Sequence, residues 1–430
     1  MRGHNLRKIL GNEYIFSIVT KFISLAIGIL HSVLVARYLG AELKGVNAYI
    51  ASVVGVGSII ITFGMHQAYP YLRKEYGKDT IYEDYVGMIE FLYIVLLSFA
   101  GFLAFCLPLS IETKAIVILT PLYGYNRISG YVVLVESPNR YNKWETILTV
   151  FSLVYIIVLW FATSHNMFWA ISILAILEIG RAIIYTISLK VKPYISKKQL
   201  PIFKELLKYG FFPMVALLMT TLNYKIDTLM LKNSQNITNA MVGVYSVGIT
   251  LSDKIALIPD TLKGVIVSKL SKGEGADEVA KVSRLCFLCS LCICIGTIIF
   301  GKPFIDILYG KEYAEAYTII VITAAGAVAI GYFKLIAQYN IVNKKQFLNV
   351  IMLSIAVIID IVLNYAFIPI WGINGAAIAT CIGNIVCGIV FVIWFCRKNN
   401  MKLTQMICIQ KTDVQMIKRA LNLKHKRKRL

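Results

Sequence analysis

Thirteen ionisable side chains sit inside otherwise apolar stretches of this chain, and they mark where its chemistry could lie. The basic set is Lys21, Arg127, Arg181, Lys225, Lys254, Lys263 and Lys334; the acidic set is Glu90, Glu178, Asp227, Asp253, Asp260 and Asp360. A charge in such a setting costs about 2.5–3.5 kcal/mol on insertion scales, so it normally faces a cavity or a partner. Spacing separates these cases. Glu178 and Arg181 are three residues apart, as are Asp260 and Lys263, and on a helix each pair shares a face and can neutralise itself. Lys225 and Asp227 are two apart and Asp253 and Lys254 are adjacent, so neither pair faces itself. Lys21, Arg127, Lys225 and Lys254 are therefore without an obvious local partner. Converging ammonium and guanidinium groups in a low-dielectric cavity suit a multiply charged anion. The competing reading pairs each with a carboxylate on a neighbouring helix, or lets it snorkel to an interface.

The elements that carry these residues follow from composition. Of 430 residues 58% are hydrophobic and only 16% charged, with mean hydropathy +0.69. A soluble domain is nearer a quarter charged, so this is an integral membrane protein. Crossing a hydrocarbon core of about 30 Å takes about 20 helical residues. Twelve runs qualify, at approximately 14–36, 45–65, 86–109, 115–135, 144–164, 166–189, 209–231, 241–268, 282–300, 314–340, 346–368 and 373–396. They lack the alternation of barrel strands, and lipid tolerates no open backbone, so they are helices. Pro259 should kink the eighth.

Charge sets the orientation. Of 44 Lys and Arg, 31 fall in the segments on one side, six on the other and seven within spans. The positive-inside rule places the rich side, and with it both termini, in the cytoplasm. The formal net charge of +21 is thereby explained without nucleic acid. The tail from Lys424 to Arg429, KHKRKR, reads as a cytoplasmic segment drawn to anionic lipid. Arg2, Arg7 and Lys8 look like the start of a signal peptide, but a full span follows without a small-residue cleavage site.

The chain looks duplicated. Residues 137–188 and 341–392 share one plan, and LVARYLGAELKGVNAYIA (34–51) and LMLKNSQNITNAMVGVYSVGI (229–249) share another. The expected organisation is a six-helix half at 1–189, a basic cytoplasmic linker at 190–208, a second six-helix half at 209–396 and a basic tail at 397–430. The fold class is all-α, with two helical bundles around a central cavity, as in transporters built from repeats.

The most telling tract is VLNYAFIPIWGINGAAIATCIGN, Val362 to Asn384: an apolar helix, a short turn after Pro369, and a second apolar helix opening with small residues. With LVARYLGAELKG and VGVYSVGITLSDKIALIP (242–259), it resembles the Wzx-type oligosaccharide-lipid flippases of the multidrug/oligosaccharidyl-lipid/polysaccharide (MOP, MATE-like) superfamily. The resemblance covers nearly the whole chain. It implies a MATE-like fold and alternating access that carries an undecaprenyl-diphosphate-linked glycan, such as an O-antigen or capsule repeat unit, across the bacterial cytoplasmic membrane. It also implies a polysaccharide polymerase and chain-length machinery as partners. On that reading Arg127, Lys225, Lys21 and Lys254 hold the diphosphate, and Glu178, Arg181, Asp227 and Asp360 are coupling or ion-pair candidates. Asp360 departs from the family pattern, where an uncharged polar residue, often Asn, is expected.

Other signals weigh less. Cys286, Cys289, Cys292 and Cys294 lie on an apolar span where cysteine is a small hydrophobe, and neither metal nor cofactor is called for. A MATE-type cation-coupled drug exporter is the alternative, but it tends to carry a carboxylate in the first span, where this chain has Lys21. A membrane polymerase is a third reading; the longest outer loop, about 301–313, is short for that work, and the chain is not expected to be an enzyme.

Overall fold

The computed structural model describes residues 2–162, 164–273, 275–410 and 413, with side chains for all of these except 2–25, 78–80, 162, 265 and 271. Every regular element among them is helical: α1 Arg2–Thr62, α2 Met65–Tyr76, α3 Lys78–Cys106, α4 Ile111–Glu136, α5 Pro138–Ala162, α6 Met167–Leu189, α7 Gln199–Lys232, α8 Asn239–Ser252, α9 Leu257–Ser271, α10 Ala276–Leu308, α11 Ala316–Val342, α12 Gln346–Lys398 and α13 Leu403–Ile407.

The two longest helices are each interrupted at one residue, Gly40 (φ 67°, ψ 171°) in α1 and Gly372 (φ 58°, ψ −132°) in α12. Glycine reaches that left-handed region without the Cβ penalty. At Gly372 the chain folds back so tightly that a Cβ on Gly375 would collide with the carbonyl of Phe367. At 1.5 Å per residue each limb of α12 is about 40 Å long, enough to cross a membrane alone. The expected turn after Pro369 is thus a one-residue break rather than a loop. Eight described segments are long and apolar enough to span a membrane, two of them the bent ones. With α4 and α7, whose lengths also suffice, the arrangement fits twelve crossings. Exposed stripes such as Phe99, Phe102 and Phe105 on α3, or Ile358, Val362 and Tyr365 on α12, give these helices lipid-facing surfaces. This is a multi-pass membrane protein.

Near Pro259 the expected kink takes a specific form. Asp253–Ala256 is a 3₁₀ turn between α8 and α9. Proline cannot donate to the carbonyl of Ile255 and its ring crowds it, so the helix re-forms with a tighter turn one step earlier.

The chain divides into two compact units, Met1–Met214 and Val215–Leu430. The division lies inside α7, beyond the basic stretch 190–208. The reason is local: Leu206 is buried in the first unit's core beside Tyr69, Leu72 and Leu189. Gly210 also lies against Gly64 (φ +68°), so closely that neither position has room for a side chain. α2, within a stretch expected to be a cytoplasmic loop, buries Met65, Ala68, Tyr69 and Leu72 on one face. Other apolar clusters of the first unit join α1 to α5 and α6 through Tyr38, Ile156 and Ala170, and α1 to α4 through Ile50, Val54 and Leu119. The second unit's main core gathers Ile336, Ala356, Phe391 and Phe395 from α11 and α12.

Candidate functional site

In the first unit, α4, α5 and α6 are tied by one ion network. Glu178 Oε1 accepts from Arg181 Nη1 at 2.5 Å, and Glu178 Oε2 accepts from Asn126 Nδ2 at 2.7 Å. Arg181 also grips Glu145 with both prongs, Nε to Oε1 at 3.1 Å and Nη2 to Oε2 at 2.9 Å. Tyr185 donates to the same carboxylate at 2.5 Å. Every charge in this group is answered, which suits a brace more than a binding site. Glu90 is likewise satisfied, accepting from Tyr125 at 2.6 Å.

Arg127 differs. It stands half-buried on α4 with no carboxylate in ion-pair range among the described residues, and its one hydrogen bond is a long one, Nη2 to Ser58 Oγ at 3.3 Å. Its Nε is buried without an acceptor. Lys21 is on α1, but its side chain lies outside the described residues, as does the 424–429 tail.

In the second unit the basic residues split the same way. Asp260 is shared by Lys263 at 2.6 Å and Lys334 at 2.7 Å, so those two cations are paired. Lys225 and Lys254 are half-buried and, among the described residues, in no ion pair.

The acidic residues of this unit form a different kind of site. Asp227 is 1% exposed and Asp360 2% exposed, and among the described residues no cation is paired with either. Asp227 Oδ2 accepts from Tyr245 and, at 3.1 Å, from Thr380 Oγ1. Asp360 Oδ1 accepts from Asn364 Nδ2 at 3.0 Å. Among the described residues Asp227 Oδ1, Asp360 Oδ2 and Asn364 Oδ1 are buried with no hydrogen-bond donor. Nearby, Asn223 donates to Asn384 at 3.1 Å, and a small cleft lined in part by Asn223, Ser252, Asp253, Thr323 and Thr380 reaches Asp227. α7, α8, α11 and α12 supply these residues. Leftover buried acceptors suit a proton or a small cation.

A family model described as "Polysaccharide biosynthesis protein" matches residues 34–318. The chain belongs to that family. Among curated proteins none matches it in sequence. Among solved structures, "Lipid II flippase MurJ, inward closed conformation" is similar over 91% of this chain and 89% of that one, with TM-score 0.71 and 18% identity. A multidrug resistance MATE family transporter of the MOP superfamily is similar in its inward-facing form (TM-score 0.56, 13% identity, 86% and 91% covered) and in its outward-facing form (TM-score 0.57, 12% identity, 88% and 93% covered). At such identities the likeness is one of fold, a fold shared with the MurJ flippase and the MATE transporter.

For this polysaccharide biosynthesis protein, the matched segment contains Arg127, Glu178, Arg181, Lys225, Asp227 and Lys254, while Asp360 and Thr380 lie beyond it. Sequence reasoning did not single out Tyr245, Thr380, Asn364 or Glu145. For Tyr245 and Thr380 a polar residue in an apolar run was the available signal, but their partner Asp227 lies on another helix and leaves no local spacing to read.

Proposed function

We propose that this protein is a flippase for a polyprenyl-diphosphate-linked oligosaccharide, a repeat unit of a surface polysaccharide such as O-antigen or capsule. It works by alternating access in the bacterial cytoplasmic membrane, with both termini in the cytoplasm. Membership of a polysaccharide biosynthesis family and a MOP fold support the reading. The observation that carries it is the contrast among the intramembrane cations: Arg181, Lys263 and Lys334 are neutralised, whereas Arg127, Lys225 and Lys254 are not. Unneutralised cations in apolar helices are costly unless an anion visits them, and a diphosphate is such an anion. Lys21 joins this set on its sequence position.

Each half of a transport cycle then has residues to serve it. The diphosphate and sugar enter from the cytoplasmic leaflet while the polyprenyl tail stays in lipid, and the cations hold the head group as the halves rock. The buried acceptors at Asp227 and Asp360 take the coupling ion, a proton or a monovalent cation, that drives the return. Glu178 and Arg181 brace the first unit. A polymerase and chain-length machinery receive the product.

Deletion of the gene tests the reading. One surface polysaccharide should be lost while its lipid-linked repeat accumulates on the cytoplasmic leaflet. Unchanged glycan with raised sensitivity to dyes or drugs would instead establish a MATE-type exporter. Translocated but unpolymerised single repeats would point to a polymerase.

A further inference from the structure

Three polar atoms buried without a partner among the described residues face the strip of α4 centred on Arg127, whereas the unpartnered Asn126 Oδ1 belongs to an amide turned toward Glu178. Tyr93 is 2% exposed and its hydroxyl has no partner. The hydroxyl lies against α4 at Gly124, one turn before Arg127, where an added Cβ would stand 2.9 Å from it. His66 is 4% exposed and meets Tyr131, one turn after Arg127, edge-on with ring centroids 5.5 Å apart. Its Nε2 is 3.5 Å from Gln67 Nε2, and an amide nitrogen can only donate. The His66 Nδ1 is left without a partner, and in the tautomer that carries the ring proton there it is a donor. Along one strip of α4, then, lie the Arg127 Nε–H, the Tyr93 O–H and the His66 Nδ1–H. All three atoms are buried, and none has a partner among the described residues.

An unanswered buried donor costs about 1–3 kcal/mol, and buried polar groups are otherwise nearly always satisfied. Three on one strip need a common cause, and an acceptor-rich ligand supplies one. We infer that Tyr93 and His66 join Arg127 as the first unit's part of a diphosphate-binding site, donating to the non-bridging oxygens of a prenyl-diphosphate head group when the unit opens. The inference rests on the flippase reading and deepens it, giving neutral donors to a site otherwise described by charge. Neutral donors fix the orientation of a diphosphate without adding net charge, which allows release as well as capture.

The test uses the purified full-length protein in detergent and titrates farnesyl diphosphate, inorganic pyrophosphate and farnesol. Wild type should bind both diphosphates and discriminate against farnesol. Tyr93→Phe, which removes only the unpartnered hydroxyl, and His66→Phe, which keeps the edge-on contact with Tyr131, should each weaken farnesyl diphosphate binding about five- to tenfold. Tyr93→Phe should unfold at an unchanged or higher temperature, because it removes an unsatisfied buried group. Wild-type affinity in both variants overturns the inference. So does a loss of affinity that merely tracks a loss of thermal stability. Binding of pyrophosphate without farnesyl diphosphate overturns the lipid source in favour of a free anion. If both variants export glycan normally while Arg127→Gln does not, the flippase reading stands and the donor set falls.

Discussion

At the scale of single residues, the two units differ in charge: an unpaired guanidinium at Arg127 in the first, and two carboxylates with leftover acceptor atoms at Asp227 and Asp360 in the second. Loss of a charged contact to a bound head group costs about 1.5–3 kcal/mol, so Arg127→Gln and Lys225→Gln should each lower head-group affinity roughly ten- to a hundredfold. Titration of farnesyl diphosphate checks both, and Arg127→Lys should be milder while losing the bidentate geometry. For the acidic pair, a bound cation or proton stabilises the folded state by mass action, about 2.7 kcal/mol at a hundredfold excess over its dissociation constant. The thermal midpoint of wild type should therefore rise with added sodium at constant ionic strength, or with falling pH if the ion is a proton. Asp227→Asn should abolish that response without lowering the baseline midpoint, since no cation is lost from a pair. A wild type indifferent to both, or a variant that responds equally, would remove Asp227 from coupling. What the sequence made legible here was local. The three-residue spacing exposed the Glu178–Arg181 pair, but Glu145, which answers the other face of Arg181, comes from 36 residues away on another helix. Thr380 reaches Asp227 across 153 residues, a contact that no periodicity announces.

At the scale of elements, glycines and a terminal latch shape the helices. Gly372→Ala puts a Cβ into a left-handed conformation, costing about 1–2 kcal/mol, and should lower the thermal midpoint. Gly64→Ala should cost more, because its Cβ also meets Gly210. The apolar runs were legible as spans, and Pro259 as a break. The helical character of α2 was not, because Pro70 and its polar residues resemble a loop until Tyr69 and Leu72 find the first unit's core. Beyond the last span, α13 leads to Asp413, which is buried and takes Arg284 Nε at 2.6 Å and Nη2 at 3.0 Å. The Arg284 hydrogen bonds hold this carboxyl below the usual range, against a smaller opposing push from burial. A depressed folded value means stability that is present above the unfolded value, about 3.9, and lost as pH falls through the folded one. Docking of this segment should thus be constant from pH 5 to 8 and loosen only in stronger acid. Asp413→Asn should loosen it at neutral pH, seen as faster tryptic cleavage after Lys402.

For the whole molecule, the distribution of 31 Lys and Arg against six implies one topology. A single cysteine at Glu312, beside the 3₁₀ turn Lys311–Tyr313, in a background lacking the native nine, should react with an impermeant thiol reagent in intact cells. Labelling only after permeabilisation would invert the orientation. The fold class was legible in the apolar runs, each long enough to span, and the family through the resemblance carried by 362–384, LVARYLGAELKG and 242–259. The acceptor cluster was legible only in part, as two carboxylates without the hydroxyls and amides that complete it. The central claim is that this protein moves a diphosphate-linked glycan between leaflets. Its most direct test is the fraction of the lipid-linked repeat unit in intact spheroplasts that an impermeant periodate reagent can oxidise. With wild-type protein and polymerisation blocked, that fraction should be high, and depletion of the protein or substitution Arg127→Gln should leave the repeat unit protected on the cytoplasmic side. Equal oxidation with and without the protein would contradict the account.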